Sequence, residues 1–165
     1  MPPTGTSRTP PPIPFTSMND RRHELPVLVL DGSTVTDFAS FVDEANRSIF
    51  PEYLESVGRP WSGNLDAFND ILRGGMGTPA GGFVFHIRHT AKVREALGYP
   101  ATIEWLEEML RRCDPTNQES VGARIERARR HDGATLFDEV MEIIRIHGPG
   151  GSEAENSVLL ELDDG

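Results

Sequence analysis

Two carboxylates, Asp66 and Asp70, stand out in the stretch Trp61-Ser62-Gly63-Asn64-Leu65-Asp66-Ala67-Phe68-Asn69-Asp70-Ile71-Leu72. Acids four residues apart on a helix share a face and repel each other by roughly a few tenths of a kcal/mol. Asp66, in the first turn, is favoured by the positive helix N-terminus; Asp70, one turn later, is not. Three chemistries suit such a pair. It can offer a cationic protein surface the negative charge that phosphates would offer. It can bind a metal ion or do acid–base work, given further ligands or a partner group in reach; the fold would then have to bring His86 or His89 to it. Or it can be a solvated helix face. Solvated faces usually pair acid with base at this spacing, so two acids here point to a cationic partner.

A short helix must carry the pair. Gly63 permits a backbone turn that a Cβ would resist. Asn64 is a good N-cap, since its side-chain oxygen can accept an orphan helix N–H. Leu65, Phe68 and Leu72 recur at helical spacing and make one apolar face, with Asp66, Asn69, Asp70 and Arg73 on the other. Gly74-Gly75 closes the element.

The segment Asn64 to Leu72 resembles, without a gap, the second helix of the barstar family, intracellular inhibitors of a secreted ribonuclease. The shared pattern is an aromatic and a glycine, then Asn-(Leu/Trp)-Asp-Ala-(Leu/Phe)-x-Asp-x-Leu. The resemblance implies a three-stranded parallel sheet with about four helices and a partner surface containing Asn64, Asp66, Asn69 and Asp70. It further implies that Trp61 is one of the exposed aromatics before the helix, and that Glu142, on the last helix, adds an acidic contact. Asn69 departs from the pattern, because an aromatic is known at that position in the family.

The rest of the chain supplies an α/β order. Leu25-Pro26-Val27-Leu28-Val29-Leu30 is a nearly continuous apolar run ending at Asp31-Gly32, which predicts a strand buried on both faces. Ser33 or Thr34 then caps a helix through Phe38, Phe41, Val42, Ala45 and Ile49. Phe83 to Arg88 reads as a second strand and Ser157 to Leu162 as a third. Between them lie a short helix capped by Thr90, a helix ending near Arg112, a highly charged helix from about Gln118 to Arg130, and an apolar helix from Thr135 to His147. Each strand-to-strand connection is long enough for a right-handed parallel crossover. The resemblance spans roughly residues 25–100 and 134–162, leaving the charged segment 101–131 without an assigned role.

Composition bounds the function. Residues 1–24 hold six of the 13 prolines and read as a disordered tail, with the domain proper at residues 25–165. The tail carries three basic and two acidic residues, so the body of this chain of net charge −10 carries −11. Such a body is repelled by nucleic acid and anionic membranes and attracted to basic proteins. Apolar runs are too short for a membrane span, no leader sequence is evident, and the single Cys113 forms no internal disulfide or zinc cluster. A cytoplasmic location fits. Of the other histidines, His86 alternates with Phe85 and Ile87 as a packed histidine would, and His147 ends its helix without a special role. No phosphate loop, nucleophile elbow or zinc-protease motif occurs.

The reading is therefore a cytoplasmic immunity protein, monomeric in a 1:1 complex, whose acidic helix occludes the active site of a basic ribonuclease or related nuclease toxin. It has no cofactor, metal or catalytic residue. Two alternatives are a barstar-like interaction module without a nuclease target, and a hydrolase using Asp66, Asp70 and a histidine.

Overall fold

A computed structural model describes residues 22–165. Three parallel strands, β1 (Val27–Asp31), β2 (Phe83–Arg88) and β3 (Val158–Asp163), form one sheet in the order β1-β2-β3. Leu28, Phe85 and Leu160 lie in register across it, as do Leu30, Ile87 and Leu162. Parallel neighbours need a crossover between them, and here those crossovers are helical.

The first crossover contains α1 (Phe38–Ser48), α2 (Pro51–Val57) and α3 (Leu65–Leu72). The second contains α4 (Thr90–Ala96), α5 (Tyr99–Arg112), α6 (Gln118–Arg129) and α7 (Leu136–Ile146). The main core joins one sheet face, with Leu30, Phe83, Phe85, Ile87 and Val158, to Phe41, Phe50, Trp61, Phe68, Leu72, Leu97, Val140 and Ile144. The α/β class, the parallel sheet and its helical connections agree with the sequence reading.

Three local expectations are corrected. β1 is not buried on both faces: Leu30 is fully buried, but Val27 and Val29, which point the other way, are 48% and 37% exposed. The apolar run identified a strand, but its second face is open to solvent at Val27 and Val29. On that face Arg22 pairs with Glu161, with Nη2 to Oε2 at 3.1 Å, so this residue of the expected tail touches the sheet. Residues 1–21 of the expected tail lie outside the described residues.

The second correction is at the start of α1. Asp31 accepts a hydrogen bond from the Ser33 amide and closes a tight turn over Gly32–Thr34. The helix begins only after Asp37, which caps it: the Ser40 amide donates to Asp37 Oδ1 at 2.8 Å, and the Asp37 amide donates to Ser40 Oγ at 3.0 Å. In the third, His89 rather than Thr90 precedes α4, in a left-handed conformation at φ 53°. The Thr90 hydroxyl instead ties the end of β3, bonding to the Asp163 carbonyl and amide at 3.1 Å each.

Helices α5 and α6 form a hairpin with a small core of its own, made of Leu106, Val121, Ile125 and Ala128. Trp105 packs against both this cluster and the main core. The hairpin is fixed further by the Leu136 amide, which donates to Thr102 Oγ1 at 2.7 Å, and by Tyr99 stacked on His131 with ring centroids 5.0 Å apart.

Candidate partner-binding site

Helix α3 has eight residues, too few to be stable alone in water. Tertiary contacts hold it. Phe68, Ile71 and Leu72 are at most 2% exposed. The Phe68 ring meets Trp61, Phe50 and Phe85 with centroids 5.2, 5.8 and 6.4 Å away, so the helix rests directly on the central strand. Burying a Phe of this kind contributes on the order of 2–3 kcal/mol before packing gains.

Both ends are tied. Asn64 caps the helix as its type predicts, accepting from the Ala67 amide at 2.9 Å. The turn before it needs glycine: Gly63 has φ 92°, and a Cβ there would stand 3.1 Å from Val42 Cγ2. At the other end, the Thr78 hydroxyl donates to the Ile71 carbonyl at 2.6 Å and Asn156 Nδ2 donates to the Leu72 carbonyl at 3.1 Å. The Leu72 carbonyl thereby gains a partner at the helix terminus, and the Ile71 carbonyl gains one beside the Gly74 amide at 3.2 Å.

With its inner face fixed, α3 presents Asp66 and Asp70 outward, and both are exposed. Their surroundings differ. Asp70 accepts from Arg73 Nη1 at 2.8 Å, and the same guanidinium reaches Glu153 through Nε at 3.0 Å. The pair of acids is thus partly balanced by a base three residues on. Asp66 makes no salt bridge among the described residues. The Arg73 guanidinium holds the Glu153 carboxyl below its ordinary pKa, and Glu153 keeps Arg73 protonated.

Trp61 does not belong to this surface. It is 2% exposed and lies under α3, not on it. Its indole N–H donates to the Asn64 carbonyl at 2.8 Å, and its backbone exchanges two 2.8 Å hydrogen bonds with the Asn46 side chain. The aromatic before the helix is therefore a spacer that sets the helix height.

Asn69 is half-buried, with Oδ1 2.8 Å from Nε2 of His147. His147 is fully buried at the end of α7, and its Nδ1 donates to the Glu153 carbonyl at 3.1 Å. A neutral ring protonated at Nδ1 satisfies both neighbours when Asn69 turns its amide NH2 toward Nε2. Burial is the largest cause holding the His147 pKa below that of a free imidazole. The expectation that His147 has no special role is corrected: it joins the acidic helix to the last helix.

Glu142 is exposed on α7. The α7 side chains that line a groove beside Asp66 are Glu139, Ile143 and Ile146. Glu139 was not singled out in the sequence, although its place one turn into an apolar helix made it a candidate. Neither His86 nor His89 joins the aspartates. His86 faces Asp163 at 3.8 Å and His89 faces Asp31 at 3.9 Å, both at the carboxyl end of the sheet. No group of three or more metal-ligating side chains occurs among the described residues. No helix among them is long and apolar enough to cross a membrane.

Fold and site together define a small α/β protein with parallel strand order 1-2-3 and a buried-backed helix that offers carboxylates to solvent. The family model of barstar, described as the barnase inhibitor, matches residues 25–128, and the chain belongs to the barstar family. The matched span covers β1 to α6 and so includes the charged hairpin, which the motif resemblance had left aside; α7 and β3 lie beyond it. No curated protein and no solved structure matches the chain.

Proposed function

We propose that this protein is a cytoplasmic inhibitor of a basic ribonuclease, acting as an immunity protein in a 1:1 complex. The observation that supports this most is the presentation of α3. Asp66 and Asp70 project from a helix whose opposite face is immobilised against β2 and whose two ends are hydrogen-bonded into the body. A partner therefore meets carboxylates that are already ordered, and little conformational entropy is lost on binding.

The catalytic cleft of a ribonuclease is cationic because it binds phosphate. Asp66 and Asp70 enter that cleft as substitutes for substrate phosphates, and occlusion is steric and electrostatic, without a covalent step. Asn64 and Asn69 flank the contact, although the side-chain amides of both face groups within the protein. Glu142 supplies a further acidic contact from α7. The acidic body speeds the encounter; barnase–barstar is the standard example of such steering, and the effect is taken from there.

Titrating barnase activity with the full chain tests the proposal. The expected outcome is stoichiometric inhibition, with an association rate that falls as salt rises while dissociation changes less. Absence of inhibition, or a complex that leaves the cleft open to substrate, would overturn it.

A further inference from the structure

Beside the acidic helix lies a groove of about 1000 Å³, walled by α3 with the turn before it, by the start of α1, by α5 and by α7. Its floor is apolar and half-buried, with Leu65, Trp105 and Ile143 among its residues. The rim is acidic. Glu139 already pairs with Arg124 at 2.6 Å, and Glu108 with Arg111 at 2.6 Å. Asp66 on α3 and Glu104 on α5 line the same groove and have no salt-bridge partner among the described residues.

We propose that this groove is a second contact for the same partner. It receives a cationic segment lying beside the nuclease's catalytic cleft: an arginine or lysine between Asp66 and Glu104, flanked by apolar side chains that settle on the floor. The inference rests on the ribonuclease-inhibitor reading and extends it. Two features favour this occupant. Charge complementarity is local, because among the described residues Asp66, Glu104 and the helix-capping Asp37 lack a salt-bridge partner around one apolar floor, while Glu108, Arg112 and Glu139 are paired within the chain. The groove is also continuous with the acidic helix, since Asp66 belongs to both. Arginine suits such a site, because its stem packs on apolar surface while its planar head bonds carboxylates.

The experiment is kinetic, with barnase as the probe and the full chain as inhibitor. Glu104→Lys should raise the dissociation rate at least tenfold, and Glu104→Gln about threefold, each with an unchanged melting temperature. Glu119→Lys, an equal charge change on exposed α6 away from the groove, should slow association only. Unaltered dissociation in Glu104→Lys, alongside weakened binding in Asp70→Ala, would overturn the groove contact and leave the function standing. Loss of dissociation control at Glu104 with no effect at Asp70 would keep the groove and overturn the cleft-occluding role of α3. Failure of the wild-type chain to bind barnase would overturn both.

Discussion

Helix α3 and the α5–α6 hairpin are both rich in charge, yet they use it in opposite ways. In the hairpin most charges neutralise one another, Glu104 at the groove being an exception. Glu108 pairs with Arg111 and Arg112, Arg129 bridges Glu126 and Glu107, and Arg127 reaches Asp132. Exposed pairs of this kind contribute little to stability and leave little field for a partner. On α3 one acid is unpaired and the other shares its arginine with Glu153. The bases differ as well. α3 stands on the main core through Phe68, whereas the hairpin buries a separate group of Leu106, Val121, Ile125 and Ala128. A high density of charge is thus a poor guide to a binding surface. Uncompensated charge on an immobile base is a better one.

The largest effect should come from removing that base. Phe68→Ala empties a fully buried site among three aromatic rings and should destabilise the whole fold by about 3–5 kcal/mol. Ile125→Ala, in the small cluster, should cost about 2 kcal/mol. Urea denaturation measures both. Hydrogen exchange should show the second loss confined to α5 and α6. If the two variants destabilised equally and globally, the hairpin would be an integral part of the main core, and the contrast between the regions would fail.

Binding should separate the regions next. Asp66→Ala and Asp70→Ala should each weaken barnase binding at least tenfold, because truncation leaves a cation of the partner buried and unpaired. Glu126→Ala, removing an exposed hairpin acid already paired with Arg129, should change affinity by less than about twofold. Calorimetry with all three variants decides the matter. An effect at Glu126 as large as that at Asp70 would move the interface off α3.

Much of α3 was legible in the sequence because its signals are local. The Asn64 cap, the apolar spacing of Phe68 and Leu72, and the glycine turn at Gly63 are all set within twelve residues. What was not legible depends on distant partners. Trp61 could be placed outside or inside only by knowing that Asn46 clasps its backbone. His147 looked like an ordinary helix end, because its partner Asn69 is 78 positions away in the chain. The open face of β1 was hidden for the same reason: an apolar run states that a strand can be buried, not what covers it. Arg73 is a different case. It was visible on the polar face at i+3 from Asp70, and the structure shows that the two pair.

The His147 link predicts a pH effect specific to the α3 side of the molecule. Burial depresses its pKa in the folded state, so the unfolded chain binds more protons once pH falls past the ordinary value near 6.5. Stability from this group is therefore full above that pH and is lost as pH falls toward the folded pKa. The groups facing the ring are Asn69, Arg73 and Glu153; the Arg73 charge adds to the depression, and Glu153 opposes it. In His147→Phe the slope of stability against pH between about 7 and 5 should be shallower than in the wild-type chain. Equal slopes would mean that the ring binds protons equally in the folded and unfolded chain and that burial does not control it.

The smallest expected effect is on the stability of Asp70→Ala, and it gives the comparison its finest test. The substitution removes the Arg73 pair, which is destabilising. It also removes the repulsion from Asp66 and raises helix propensity, which are stabilising. The side chains of Asp70 and Arg73 are 62% and 43% exposed, so water screens their attraction. Arg73 keeps Glu153 at 3.0 Å after the change, so its charge is not left without a partner. The opposing effects are similar in size, and the melting temperature should move by no more than about 2 °C. Arg73→Ala sharpens the point from the other side. It frees the Asp70 carboxylate and removes a cation that the nuclease must approach, so binding should tighten severalfold while that of Asp70→Ala falls. If Arg73→Ala weakened binding instead, the guanidinium would be a positioning group that aims Asp70 at the partner. If Asp70→Ala melted several degrees lower, the acid would belong to the scaffold.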